Sequence, residues 1–424
     1  MARIILSVNA GSSSVKISVY QDNGKGQDPK ELAVAQIDGL TAPPPTLKYN
    51  RGDEKIKGKE LKDIGSQEDA FKYIMQHLEN ESGLPELSHR DDVAFVTHRV
   101  VHGGDYPRAQ VLTKETYHHI EVLSDLAPLH NAGALTIVRA AHKELSKAIN
   151  IAFFDSAFHA TIPKHISTYP IDQKIATKNG LRKYGFHGLS YSFILKAVAK
   201  HLGKPVEQTN IIALHLGSGA SACAIKNGKS WDTSMGLTPL AGLPGATRSG
   251  SVDPSLVFHY AADAGKMTQK GDSKLHITRA EQILNKEAGW KALAGTTDFG
   301  KISAGEDEES RLAFEVVLDR VLGYVGSYFV SLRGDVDALV FAGGIGEKGV
   351  KLREKVVEGV ECLGFKIDAK KNESPGEEVV EDVSGSETKH KVLICQTDEQ
   401  LEMARGCVER AEGFEREAKE ANGS

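Results

Sequence analysis

A chain of 424 residues exceeds what one hydrophobic core organises, since single cores stop growing at about 250–300 residues, so two domains are expected. Lys plus Arg total 52 against 57 Asp plus Glu, a net charge of -5, and no basic run is interleaved with aromatics; this argues against nucleic acid as a partner and leaves room for a small anion. The four cysteines, Cys223, Cys362, Cys395 and Cys407, form no CxxC pair and are too sparse for a disulfide framework or a structural zinc site, and no run of about 18 apolar residues marks a membrane span, so a soluble, cytoplasmic protein is expected.

Residues 3–8 read as a strand, 9–14 as a polar Gly/Ser tip, and 15–20 as a second, alternating strand: a hairpin. Residues 41–65, with Pro43-Pro44-Pro45, read as a loop. Helical patterns follow at 66–81 and 134–147, and strand-like runs at 93–96 and 151–154. The hairpin returns at 211–226, where Leu216-Gly217-Ser218-Gly219-Ala220-Ser221 forms the tip, close to half the chain beyond the first. Two copies at that spacing imply duplicated α/β domains rather than a solenoid. Residues 237–254, rich in Gly and Pro, and 368–391, dominated by charge, read as loops or linkers, and 408–424 reads as a helix with a solvated charged face. The division expected is 1–161 completed by 392–424, and 162–391.

A Gly/Ser tip brings backbone amides close to an anion, as a phosphate cradle requires, although most such turns merely connect strands. Gly228-Lys229-Ser230 ends like a P-loop, but Cys223 stands where its leading glycine belongs, so no Walker A motif is present. Gly344-Ile345-Gly346-Glu347-Lys348-Gly349 matches G-x-G-x-x-G between an apolar run and a helical one, with a further strand read as ending at Asp368, where a ribose-binding acid would stand. That is the case for a dehydrogenase. It leaves the duplication unexplained, and both readings place an adenine nucleotide near Gly344.

Five stretches carry polar residues that ordinary loops and strands do not need: 97–104, 127–131, 153–159, 184–188 and 245–250. Asp155 follows the apolar run 151–154, at the strand edge where open α/β sheets bind ligands. His187, between Phe186 and Gly188, stands out from the other histidines as a donor in a tight setting. Arg99 and Arg248 lie beside small residues, where a guanidinium could reach inward to a carboxylate or phosphate. The bland readings are a capping Asp, a structural His and surface ion pairs.

Residues 9–16, Asn-Ala-Gly-Ser-Ser-Ser-Val-Lys, and 215–221, His-Leu-Gly-Ser-Gly-Ala-Ser, together with the five stretches in order, resemble the acetate kinase family over residues 3–399. The resemblance implies an actin-like ATPase (ribonuclease H-like) fold of two duplicated domains, an active site in the interdomain cleft, and a homodimer. It also implies reversible transfer between ATP and acetate, giving acetyl phosphate and ADP, with Mg²⁺ or Mn²⁺. Carried over residue by residue, it gives Arg99, Asp155, His187 and Arg248 catalytic roles, and Asn9, Asp155 and Glu399 the metal. Val101, Leu129, His130, Phe186 and Pro239, with Arg99, would bind the acid. Asn9, Ser12, Ser14, Lys16, His215, Gly217, Ser218, Gly219, Asp298, Phe299, Gly344 and Ile345 would bind the nucleotide. Ser218, Gly300 and Lys348 depart from the usual Asn, Arg and Asn, all on the nucleotide side, which keeps pyrophosphate-linked transfer among the alternatives. Propionate or butyrate kinase is another, and a sugar kinase or a non-acyl ATPase of the superfamily a more distant one.

Such chemistry is coherent on physical grounds. A carboxylate with a pKa of about 4 is already ionised at neutral pH and needs no general base. The obstacle is repulsion between two anions, which positive charge and positioning overcome.

Overall fold

A computed structural model describes residues 3–11, 13–123, 128–260 and 278–423, with the side chains of 128–130, 132, 422 and 423 outside the description. The chain divides into two compact units, Met1–Ala157 with Asp398–Ser424, and Phe158–Thr397.

The first unit is built on an eight-stranded sheet, ordered β5-β4-β3-β2-β1-β6-β8-β7. Its strands are β1 (Ile4–Ala10), β2 (Ser14–Gln21), β3 (Lys30–Asp38), β4 (Thr46–Arg51), β5 (Glu54–Glu60), β6 (Val93–Val100), β7 (Gln110–Val111) and β8 (Ile149–Phe154). The strands β1, β2 and β3 form an antiparallel meander, and β6 runs parallel to β1 and β8 to β6. Ile4, Leu6 and Val8 alternate onto one face, in a core with Phe71, Ile74 and Met75 of the helix Gln67–Glu79. Ser66 caps that helix, its side chain accepting from Asp69 N–H, which satisfies one of the donors a helix start leaves orphaned. Residues 41–65 were expected as a loop and instead carry β4 and β5. Leu47 and Tyr49 alternate inward beside β3, while β5 is an exposed, lysine-bearing edge whose charge disfavours further pairing.

The helix Glu399–Gly423 packs along β1, β6 and β8. Met403, Cys407, Val408, Ala411 and Phe414 are buried at helical spacing, so the tail has a core face as well as the expected solvated one.

In the second unit β9 (Ile211–Leu216), β10 (Ala220–Lys226), β11 (Lys229–Thr233), β12 (Ala338–Ala342), β13 (Val380–Asp382) and β14 (Lys391–Cys395) form a six-stranded sheet ordered β11-β10-β9-β12-β14-β13. The strands β9, β10 and β11 are an antiparallel meander, and β12 and β14 run parallel to β9. This repeats β1, β2, β3, β6 and β8 strand for strand. Val317, Val321, Val325 and Tyr328 seat the long helix Glu308–Ser331 on this core.

Four boundaries differ from expectation, the first being that the first unit runs to Ala157 rather than to 161. Because β14 pairs with β12, it stays in the second unit, and the chain returns to the first at Asp398 rather than at 392. Residues 368–391 hold the helix Ala369–Glu373, capped by Asp368, and β13. The strand expected to end at Asp368 amounts to two isolated bridges, Phe365 to His390 and Ile367 to Ser384; Asp368 takes its side chain to Lys370 N–H and Lys371 N–H as a helix cap.

Candidate active site

The duplicated topology sends several of the expected residues to the carboxyl ends of the parallel strands, where an open α/β sheet leaves room for ligands. In the first unit Asn9 lies near the end of β1, Arg99 near the end of β6, and Asp155 directly after β8. Glu399 opens the C-terminal helix, whose start is capped by Asp398 Oδ1 accepting from Gln400 N–H and Leu401 N–H at 3.0 and 2.9 Å. Chain segments far apart in sequence thus form one cluster. Arg99 Nη2 donates to Asp155 Oδ2 at 2.7 Å, its Nε lies 3.2 Å from both Asp155 oxygens, and its Nη1 stands 3.2 Å from Glu399 Oε2. Asn9 Nδ2 donates to the same Glu399 oxygen at 3.3 Å, and Asn9 Oδ1 accepts from Arg99 Nη1 at 3.5 Å. The Asp155 side chain is 1% exposed and that of Glu399 14%. Burial works against the Arg99 cation, but the Asp155 and Glu399 carboxylates outweigh it and raise the guanidinium above its ordinary range.

The segment after β6 is pinned by buried polar groups. Asn131 Oδ1 accepts from His102 N–H and its Nδ2 donates to His102 O, both at 3.0 Å, and Ser156 Oγ accepts from Gly103 N–H at 3.0 Å. A Cβ on Gly103 would stand 2.4 Å from the Phe154 ring. This fixes Val101, half-buried, at the mouth of the same strand edge. Ser12, and the side chains of Leu129 and His130, lie outside the described residues.

In the second unit His187 precedes the helix Gly188–Leu202 in the left-handed region, with φ 60°, an uncommon conformation for a residue with a Cβ. Its ring stacks on His215 of β9, with centroids 4.2 Å apart, and its Nδ1 lies 2.8 Å from Ser221 Oγ on β10. His215 Nδ1 is held by Ser190 Oγ at 2.7 Å. Phe186 is buried, its carbonyl accepting from His159 Nε2 at 2.9 Å while His159 Nδ1 meets Ser230 Oγ at 2.7 Å. At the hairpin tip a Cβ built on Gly219 would lie 3.2 Å from Arg248 Nη1 and 3.6 Å from His187 Nε2. Glycine at 219 therefore lets an arginine and a histidine converge on one point of open backbone. Arg248 is held there by its loop, in which Gly245 N–H donates to Arg248 O and Ala246 N–H to Ser218 O. Pro239 is buried in the same loop, and Ser218 is exposed at the tip.

The nucleotide-side residues fall into two groups. Gly343 follows β12 with φ 75°, where a Cβ would meet Leu216 O at 2.7 Å, and Gly344 is exposed with open space at its Cβ position. Ile345 is half-buried beside it. Asp298 and Phe299 have structural occupations. Asp298 caps the helix Phe299–Ala304, and Phe299 packs in the core against Trp290 at 5.1 Å. In the first hairpin Gly11 N–H donates to Ser14 O at 2.9 Å, closing the tip between Asn9 and Lys16. The residues that hold these in place were given no role in the sequence: Asn131, His159 and Ser221 lie inside the stretches singled out there, and Ser190 and Tyr191 lie outside them. A strand serine or a helix asparagine carries no signal until the fold shows its partner.

Comparison with known proteins shows the family and the fold. The acetokinase family model matches residues 4–405. A "Probable acetate kinase" of Neurospora crassa is 56% identical over 97% of this chain and 95% of that protein. Among solved structures, a propionate kinase from Francisella tularensis matches with a TM-score of 0.83 at 32% identity, over 95% of this chain and 98% of its own. The Porphyromonas gingivalis acetate kinase matches at 0.79 and 32%, with the same coverage. The repeated sheet order is that of the actin-like ATPase fold. On fold, residue types and whole-chain similarity together, the chain belongs to the acetokinase family of phosphotransferases.

Proposed function

We propose that the protein transfers a phosphoryl group reversibly and in line between ATP and acetate, giving acetyl phosphate and ADP. The observation that carries the site assignment is the convergence of Arg248 Nη1 and His187 Nε2 at Gly219. An acetate oxygen would bond to the γ-phosphorus as the bond to the β–γ bridging oxygen breaks. Arg248 donates to the phosphoryl oxygens, bidentately where geometry allows, and His187 adds a third directed hydrogen bond. Arg99 offsets the negative charge of the acid. Val101, Leu129, His130, Phe186 and Pro239 are assigned to holding acetate.

Asn9, Asp155 and Glu399 would hold Mg²⁺ or Mn²⁺. The donors are oxygens only and include two carboxylates, which suits a hard cation that keeps several waters and phosphate oxygens as its remaining ligands. Among the described residues no group of three or more His, Cys, Asp or Glu could hold a metal by itself, in keeping with that division. When bound, the ion neutralises phosphate charge. Ser12, Ser14, Lys16, His215, Gly217, Ser218 and Gly219 are assigned to the phosphates, and Gly344 and Ile345 to adenine. Asp298 keeps the neighbouring turn in place as its cap.

No helix of the described residues is long and apolar enough to cross a membrane. Four unbridged cysteines fit a reducing compartment, and the protein is assigned to the cytoplasm on that ground; a homodimer is assigned on the family resemblance alone.

The test is ADP-dependent consumption of acetyl phosphate with Mg²⁺, run beside inorganic phosphate as acceptor and beside Arg248→Ala. ATP should form, and the substitution should lower kcat by about 10²–10³-fold. Turnover with phosphate alone would instead establish a pyrophosphate-linked enzyme. The propionate kinase match supports a second reading on acid length. One methylene discriminates by only about 1–3 kcal/mol, so kcat/KM for acetate and propionate should be compared directly.

A further inference from the structure

We infer that Ser221 and Tyr191 are positioning residues that fix the tautomer of His187, keeping its proton on Nε2, the nitrogen that faces Gly219 and Arg248. The inference rests on the reading of His187 as a donor to the transferring group. It follows from counting the protons in a short buried chain. The Tyr191 hydroxyl lies against Ser221 Oγ, and Ser221 Oγ lies 2.8 Å from His187 Nδ1. Among the described residues, Ser221 Oγ is the hydrogen-bond partner of the Tyr191 hydroxyl. Its own proton is therefore directed to Ser221 Oγ. Burial raises Tyr191 well above its ordinary value, so the proton stays on it.

Among the described residues, the partners of the Ser221 hydroxyl are Tyr191 and His187. With Tyr191 donating to the serine oxygen, the serine proton has His187 Nδ1 as its acceptor. A nitrogen that accepts cannot carry the ring proton of a neutral imidazole, so that proton sits on Nε2. The ring's plane is set by its stack on His215, and the hydrogen bond from Ser221 at Nδ1 favours the orientation that turns Nε2 toward Gly219. The titratable groups around it among the described residues of its unit include His215 on β9, held by Ser190; Arg248 in the loop after β11; Tyr191 on its own helix; and His159, which reaches it through the Phe186 carbonyl. Arg248 and the donated serine O–H both oppose a second proton on the ring. The chain thus presents a neutral donor, already aimed before substrate binds.

The experiment is ¹⁵N NMR of the histidine rings in the intact protein, with the His187 signals assigned by their loss in His187→Ala. At neutral pH the wild-type ring should show Nδ1 unprotonated and Nε2 protonated. Ser221→Ala removes the donor to Nδ1, and the nearly isosteric Tyr191→Phe frees Ser221 to accept from Nδ1. Each should raise the His187 titration midpoint by about 0.5–1 pH unit and lower kcat about three- to tenfold, with KM for ATP changed by no more than about twofold. A wild-type ring protonated on Nδ1, or variants that titrate at the wild-type midpoint, would overturn the inference. Full transfer activity in His187→Ala would sink the reading of His187 as a donor while leaving the tautomer measurement standing, so the two failures are told apart.

Discussion

Arg99 offsets a pair of carboxylates, Asp155 and Glu399, that would otherwise repel each other at a strand edge, and the proposed function gives it a second task beside an anionic substrate. Arg99→Ala removes the guanidinium that lies 2.7 Å from Asp155, a carboxylate only 1% exposed. Breaking a buried pair from one side costs more than the pair is worth, so Arg99→Ala should lower stability by about 3 kcal/mol besides abolishing transfer. Urea midpoints read beside ATP formation check both effects; a protein of undiminished stability would show that the carboxylates relax into solvent. Two other buried residues set the acid limit. Burial lowers His98 to about 4, opposed by its hydrogen bond to Asn150, and lowers His159 to about 4, opposed by the Phe186 carbonyl. The unfolded chain binds these protons near pH 6.5, so between about pH 4 and 6.5 it holds more protons than the folded chain. Stability therefore rises with pH through that window, is fully present above it, and drains away as pH falls. Urea midpoints at pH 7 and 5 should differ by less in His98→Gln than in wild type. An equal difference would exclude His98 as a source.

At the scale of elements, the proposed function ties activity most tightly to the shape of the second hairpin. Gly219→Ala places a methyl 3.2 Å from Arg248 Nη1, so the guanidinium must shift while the sheet beneath it need not. We expect kcat to fall at least tenfold with unfolding changed by less than about 1 kcal/mol, since misplacement of a catalytic group by a fraction of an ångström is costly to rate alone. A kcat near wild type would show that Arg248 has room to spare. The C-terminal helix makes the complementary case. Phe414, fully buried and with its ring 6.5 Å from that of Phe153, should cost about 3–5 kcal/mol on substitution by Ala. Exposed Glu412, on the same helix, should cost under about 0.5 kcal/mol. Chemical unfolding of the two variants checks the pair. Equal costs would mean that the helix contributes little to the core of its unit. The charged pattern of the tail was plain in the sequence. Its apolar stripe was masked because Cys407, Ala411 and Phe414 are spread thinly among glutamates and arginines.

At the scale of the whole molecule, what could be read from the sequence was what is written in local pattern: two Gly/Ser hairpin tips half a chain apart, the α/β class, and the short polar stretches that carry Asn9, Arg99, Asp155, His187, Gly219 and Arg248. Those signals survive without the fold, because a glycine at a tip or a charge after an apolar run is unusual wherever it stands. Residues 41–65 failed that test. Leu47 and Tyr49 do alternate with polar residues, but the run is short and follows three prolines, and what makes it a strand is the edge that β3 offers for pairing. The return point at Asp398 was likewise decided by β14 joining β12, a pairing between segments that the sequence does not bring together. Only the tertiary structure set Glu399 beside Arg99 and Asn9, and Tyr191 and Ser221 behind His187. The physical reason is the same throughout: chemical identity is a property of one residue, whereas ion pairs, shared protons and strand neighbours belong to pairs of residues that the chain carries far apart until it folds.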